Sequence, residues 1–579
     1  MILQALYDYY ERMSADPANN MAPEGFEWKE IPFLIVIDRE GRFVRLEDTR
    51  TLDGKKKVAK RFLVPQGEKK TSGIKANLLW DGPDYVLGAN PRNRNDSAER
   101  HNAFLTRLKP ILYNNKEIVA IKALSRFLYS GPLKQVLDTS GDSHEWKEIL
   151  EGNLNLTFRL EGDNPITDIL KDVLSNLKEY PGPRGLCLVK GEQSYISRLH
   201  PAIKGVWGAQ PSGAALVSYN LPPFCSFGKE QNFNAPMSNS ATFAYTTALN
   251  SLLLKGSDNR LQLGDASTVF WTQKQAARIE KQVKSFFAQP PKEKDDPNKG
   301  VADAKQQLES ILTGITPEES QAGFYILGLA PNAARISVRF WHQGTVGEFA
   351  ENMRIHLADL EIVAPQHDQQ RMGLMYLLGA TVLDWKSDNI PPNIVGNVIR
   401  AILSNAPYPE SFQNQCLRRI RAEQSVPRVR AAILKACINR KLRLRNHKNE
   451  KEMTVSLDPS NSDPGYLLGR LFAVLERIQE DANPNIGATI RERFYGAASS
   501  NPVAVFPQLL KLKNHHLAKL SNKGQVINHE KRLAEIFDGL DTRMPSHLAM
   551  DEQAKFAIGY YHQRQSFFTK NVESKGDQV

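Results

Sequence analysis

The chain has 579 residues, 41% hydrophobic and 24% charged, which is too long for one core and too apolar for a disordered chain, so two to four domains are expected. Lysine plus arginine (75) exceeds aspartate plus glutamate (64), and the net charge of +11 favours a polyanionic partner without demanding one. Four cysteines, Cys187, Cys225, Cys416 and Cys437, stand far apart with no CxxC spacing, which speaks against a zinc site or disulfide framework and predicts buried, reduced thiols.

The opening "MILQALYDYYERM" has the periodicity of an amphipathic helix and lacks the basic start and continuous apolar run of a signal peptide. The longest apolar run, "IPFLIVI" (31–37), falls far below the ~20 residues of a membrane span, so a soluble, cytoplasmic protein is expected. "IPFLIVIDREGRFVRLE" reads as two strands joined at "DREG", followed by a basic window. Between Arg50 and Lys75 stand nine Lys/Arg against Asp53 and Glu68, a pattern open to a solvated strand face or a phosphate-contacting one. "NPRNRND" (90–96) and "QPPKEKDDPNKG" (289–300) are charged, turn-rich loops and mark soft boundaries. Between them "PGPRGLCLVKG" suggests a strand, and "SATFAYTTALNSLLLKG" a helix capped by Ser238 or Ser240, with the polar loop "FGKEQNFNAP" just ahead of it.

Past the second loop, "GFYILGLAPNAARISVRFW" reads as a hairpin whose second strand points Ile336, Val338 and Phe340 one way and Arg335, Ser337 and Arg339 the other. "VGEFAENMRIHLADLEI" follows as a helix with Phe349, Met353, Leu357 and Leu360 on its apolar side and a structural His356. From Asp384 the pattern is almost wholly helical. Residues 416–451 carry twelve Lys/Arg against two glutamates, interleaved with Ile, Val, Ala and Leu, and are read as a folded basic surface for a polyanion. Residues 453–579 are near neutral, with fifteen Lys/Arg against fourteen Asp/Glu, and look like a helical bundle able to fold alone. The expected fold class is thus multidomain α+β, with regions 1–130, 131–290, 301–452 and 453–579.

No Walker glycine loop, GxGxxG or GxSxG is present, so nucleotide and serine-hydrolase chemistry are not expected. His367–Asp368 is a lone pair, and His515 and His516 diverge by about 100° on a helix and cannot clamp one metal. The expectation is a non-catalytic binder with no metal and no cofactor.

"TSGIKANLLWDGPDYVLG" (71–88), "FGKEQNFNAP", "TVFWT" (268–272) and "YILGLAPNAARISVRFW" (325–341), in this order after "MILQALYDYYERM", resemble the large subunit of the type I-C CRISPR Cascade complex. The resemblance extends into the helical carboxyl-terminal region. It implies an RNA-guided complex in which the large subunit reads a protospacer-adjacent motif in duplex DNA, starts strand separation and holds the displaced strand, while a separately recruited helicase-nuclease cuts. Implied partners are the guide RNA, the target duplex and displaced strand, and the backbone and small subunits. A separate small subunit made by internal translation is also implied, with Met453 as a candidate start.

Amide side chains can read base edges without a buried charge, so Lys229, Gln231, Asn232 and Asn234, with Lys75 and Asn77 of "GIKANLLW", are the candidate motif-reading and wedge residues. The competing role for the asparagines is turn closure. Candidate backbone contacts are Lys55, Lys56, Lys57, Lys69, Lys70, Arg335, Arg339, Arg418, Arg419, Arg421, Arg428, Arg440, Arg443 and Arg445.

Overall fold

The computed structural model describes residues 1–54, 56–68, 70, 73–91, 95–175, 182–274, 280, 316–364, 372–445, 451–540 and 544–568. The fold is α+β and divides into two compact units, Met1–Ala202 with Val217–Ser251, and Ile203–Leu216 with Leu252–Val579.

The first unit begins with α1 (Ile2–Ser14), which buries Leu6, Tyr9 and Tyr10 on one face. Strands β1 (Phe26–Glu30), β2 (Phe33–Ile37), β3 (Phe43–Asp48), β4 (Thr51–Asp53), β5 (Lys56–Val58), β6 (Arg61–Pro65), β7 (Trp80–Asp81) and β8 (Leu156–Leu160) follow. The expected hairpin forms: β2 and β3 pair antiparallel, and β2 is central in the order β3-β2-β8-β7, with β8 parallel to it. All five β2 residues are buried because both faces are covered. Phe33, Ile35 and Ile37 enter the main core, whereas Leu34 packs with Phe62, Val64 and Trp80. The main core is closed by helices, chiefly α2 (Pro83–Val86), α3 (Ser97–Asn114), α4 (Val119–Tyr129), α5 (Pro132–Ser140) and α6 (His144–Gly152). After α7 (Ile166–Ile169) and α8 (Lys171–Ser175), a short hairpin of β9 (Arg184–Leu186) and β10 (Gln193–Tyr195) leads toward α9 (Asn239–Leu252). Residues Ala241–Tyr245 of α9 are all buried, so this helix is a core element and not a surface one.

The second unit is built on an antiparallel meander, β11 (Arg260–Leu263), β12 (Ala266–Thr272), β13 (Gly323–Asn332) and β14 (Arg335–Thr345). Phe270, Phe324, Ile326 and Phe340 point into the core, while Trp271, Tyr325 and Trp341 pack together elsewhere, with Tyr325 and Trp341 stacked at 12°. Strict alternation along β14 fails. A register shift sets Val338 opposite Leu329 and Phe340 opposite Gly328, and Val338 is 41% exposed instead of sharing the buried side with Ile336.

Helices α10 (Pro317–Ser320), α11 (Val346–Leu360), α12 (Leu374–Gly379), α13 (Pro392–Leu403), α14 (Glu410–Glu423) and α15 (Arg428–Arg445) flank or follow the meander. Thr345 and Glu348 form a capping box that starts α11, and Phe349, Met353 and Leu360 are buried as the periodicity predicts. The remaining helices are α16 (Pro464–Ala482), α17 (Ile490–Ala498), α18 (Pro502–Lys519), α19 (Lys523–Gly539) and α20 (Met550–Ser566). They share one continuous core with the residues from Leu261 onward. Met453 is part of it: its backbone N–H and C=O bond the side-chain amide of Asn439 at 2.7 and 2.8 Å.

α16 and α20 approach closely through glycines. A Cβ at Gly559 would run into the Tyr466 carbonyl, and one at Gly469 into the Phe556 carbonyl. Because the obstacle is backbone, it cannot rotate away. Gly559→Ala is expected to lower stability by about 1–3 kcal/mol, read as a reduced urea midpoint, whereas alanine at Gly487, which has open space, costs far less.

Candidate nucleic-acid interface

The loop ahead of α9 is held from inside. Asn234 Oδ1 accepts the Ser226 N–H at 2.9 Å, and its Nδ2 donates to the carbonyls of Lys229 and Gln231 at 3.0 and 2.9 Å. Asn232 is 2% exposed; its N–H and Nδ2 donate to the carbonyls of Arg198 and Val217, both at 3.3 Å. The amides of Asn232 and Asn234 are therefore engaged in building the loop, the turn-closing role that sequence left open. The structure corrects their placement as base-reading groups, since reading a base edge would first require breaking these bonds.

The same bonds hold unusual backbone. Phe227, Gly228 and Gln231 have φ of 53°, 67° and 48°, a left-handed region that side-chain-bearing residues avoid. Behind the loop, Ser238 Oγ accepts the Ala241 N–H at 3.1 Å and caps α9, while the Ser238 N–H points at Cys187 Sγ at 3.2 Å. Burial pushes the Cys187 thiol up, but hydrogen bonds from Ser238 and from the backbone N–H groups of Lys190 and Val189 together outweigh it and hold the pKa below the usual thiol value. Cys225, expected to be buried, is only half-buried.

At the tip, Lys229 is exposed and Phe227 is 97% exposed. Gln231 is half-buried, with its Oε1 enclosed and lacking a hydrogen-bond partner. Phe227 was missed by the search for polar readers. An aromatic between Ser226 and Gly228, in an otherwise polar and turn-rich stretch, was the available signal.

Lys75 is exposed, but Asn77 is buried: its Oδ1 accepts the Glu68 N–H and its own N–H donates to Asp81 Oδ2, both at 2.8 Å. Neither residue bonds Lys229, Gln231, Asn232 or Asn234. Asn77 is thus a loop anchor and not a surface reader.

Much of the expected basic face is paired. Arg50 lies over the Phe33 ring and forks to Asp48 and Glu148 at 2.7 and 2.5 Å, and these hydrogen bonds raise its pKa. Lys57 reaches Glu148 at 3.5 Å, and Lys70 bonds Asp81 at 2.5 Å above the Tyr85 ring. Lys55 and Lys69 lie outside the described residues, and of Lys56 only the backbone, in β5, is described. In the second unit Arg339 pairs with Asp265 at 2.8 Å, and Arg335 is half-buried beside the hairpin turn.

The densest basic cluster is the largest correction. Arg440 is 1% exposed and forks to Asp359 Oδ2 at 3.0 and 2.8 Å over the Tyr408 ring. Arg443 bonds the other Asp359 oxygen and meets Glu452 at 3.4 Å. Arg419 pairs with Glu423 at 2.5 Å, Arg421 with Gln553, and Arg428 is half-buried. Among the described residues, the candidates in this stretch that are exposed without an ion pair are Arg418, Arg421 and Arg445, and Arg421 is still engaged by Gln553. The acids that neutralise the stretch, such as Asp359 and Asp551, sit far away in sequence, so a window count misses them.

His367 and Asp368 lie outside the described residues. No described helix is long and apolar enough to cross a membrane.

A family model described as CRISPR-associated protein (Cas_Csd1) matches residues 6–568, nearly the whole chain. The chain belongs to this family of CRISPR-associated proteins. Comparison with curated proteins gives no match.

Proposed function

We propose that the chain is the large subunit of a type I-C RNA-guided surveillance complex, which reads a protospacer-adjacent motif in duplex DNA, begins strand separation and supports the R-loop without chemistry of its own. Cleavage then belongs to a helicase-nuclease recruited afterwards. The family match supports a place in a CRISPR complex. The observation that carries the DNA-reading part is the braced loop 226–234: Asn232 and Asn234 hold strained backbone so that Phe227 and Lys229 face solvent. A rigid aromatic beside a lysine can wedge into a base step while the ammonium meets phosphate, and rigidity spares the ordering cost of binding.

The test uses the assembled complex on duplexes with correct and altered motifs. Lys229→Ala is expected to weaken both alike, because phosphate contacts carry no sequence information. Phe227→Ala is expected to slow strand opening, followed by 2-aminopurine fluorescence near the motif. Gln231→Ala is expected to narrow the gap between correct and altered motifs by about 1–3 kcal/mol. If all three variants open both duplexes like the parent complex, the loop does not read DNA.

A second reading has its own support. Leu186, Leu188, Tyr195, Leu221 and Phe224 are exposed apolar side chains in the segments leading up to the loop, as a seat for a neighbouring subunit would be. In that case the chain is a scaffold that binds guide RNA and neighbours, and motif preference is unchanged by every loop variant.

A further inference from the structure

A different face of the first unit has no part in this reading. α4 buries Ala120, Ile121, Ala123, Leu124, Phe127 and Leu128 and leaves Val119, Lys122, Arg126 and Tyr129 exposed. Their spacing of three, four and three residues forms one stripe about 15 Å long. At the end of α3, just before α4, Tyr113 is 71% exposed, and the Lys116 ammonium stands 5.2 Å from its ring; Tyr129 is 59% exposed. From Lys109 to Lys134 five cations stand against the single acid Glu117. Among the described residues none of the five enters an ion pair, and neither tyrosine hydroxyl is hydrogen-bonded.

This contrasts with Arg50, Lys70 and Arg440, whose charges are matched by carboxylates. Unmatched cations interleaved with exposed aromatic rings suit a ligand that carries phosphates and unstacked bases together. A duplex hides its base faces, and a protein partner would have to bring a carboxylate to each cation as well as apolar cover for both rings. We propose that the α3–α4 corner binds single-stranded nucleic acid, with bases stacked on Tyr113 and Tyr129 and phosphates against Lys116, Lys122 and Arg126.

The experiment uses the full chain with labelled 20-residue oligo(dT) and oligo(U), which contain no duplex motif, so its outcome is independent of the reading given to loop 226–234. Fluorescence anisotropy is expected to show at least a tenfold loss of affinity for the Tyr113→Ala/Tyr129→Ala pair. Tyr→Phe at both sites is expected to restore binding, because the ring and not the hydroxyl carries it. Lys122→Gln/Arg126→Gln is expected to reduce the slope of log affinity against log salt by about 1.4. The stronger of the two probes identifies the strand as DNA or RNA, and either supports the site. Parent-like affinity and salt slope in the alanine and glutamine pairs overturn the proposal, as does a loss that phenylalanine fails to restore. The glutamine pair lies on an exposed helix face, so it tests the site even if the alanine pair folds poorly.

Discussion

Asp359→Ala is expected to destabilise the second unit by about 3–5 kcal/mol, seen as a large fall in the urea midpoint. Asp359 is buried on α11 and faces α15, where Arg440 donates two hydrogen bonds to one of its oxygens and Arg443 donates to the other. Its backbone carbonyl takes the Lys435 ammonium at 2.9 Å, and Arg440 also reaches the Ala401 carbonyl at 2.9 Å. Burial, joined by the nearby Arg443 charge, depresses the Lys435 pKa against the opposing pull of Asp359, as expected for an ammonium short of water. Without the carboxylate, the buried Arg440 keeps its charge and loses its counterion; that uncompensated charge, more than the lost attraction, sets the size of the effect. Arg443→Ala removes a partly exposed partner and is expected to cost much less, so a comparable loss in both variants would contradict this account.

Acidification from pH 7 to pH 5 is expected to cost roughly 2 kcal/mol for each of three buried histidines. His200, His356 and His562 each pair through Nδ1 with a tyrosine hydroxyl, of Tyr245, Tyr408 and Tyr466, at 2.7, 2.5 and 3.0 Å. Burial lowers their pKa values to about 4, about 3 and about 4. Burial likewise raises the three tyrosines, Tyr466 to about 12. The histidine values lie below the unfolded value near 6.5, so the unfolded chain binds protons first as pH falls. The stabilisation is complete above pH 6.5 and is lost on descent toward the folded values, at ~1.36 kcal/mol per unit. His356 and His562 both belong to the second unit, and these two together should cost it about 4 kcal/mol at pH 5. Urea titrations at the two pH values check this, and His562→Gln should flatten the dependence; a midpoint that does not move with pH would contradict neutral burial.

Local elements were readable because their signals are short-range. The β2–β3 hairpin, the capped α9 and the apolar side of α11 each follow from a period or a cap within about fifteen residues. Where pairing depends on a register, the pattern fell short: alternation placed Val338 with Phe340, and one shift in β14 falls between them. The family resemblance was likewise legible, since it rests on ordered blocks of residue identity, and the match over residues 6–568 agrees with it at the level of a CRISPR-associated protein.

Charge was the least legible property. Residues 416–451 have the composition of a polyanion-binding surface, yet Arg430, Lys435, Arg440 and Lys441 are buried and held by groups such as Asp359 and Asp551. A salt bridge forms between neighbours in space, and no window along the chain contains both partners when 81 or 110 residues separate them. The loop at 227–240 divides the same way. Its residue types already marked it as a loop before a helix N-terminus, whereas only the folded chain decided that Asn232 and Asn234 turn inward and Phe227 and Lys229 turn out. Side-chain direction there depends on the carbonyls of Arg198 and Val217, which folding brings to Asn232 from earlier in the chain.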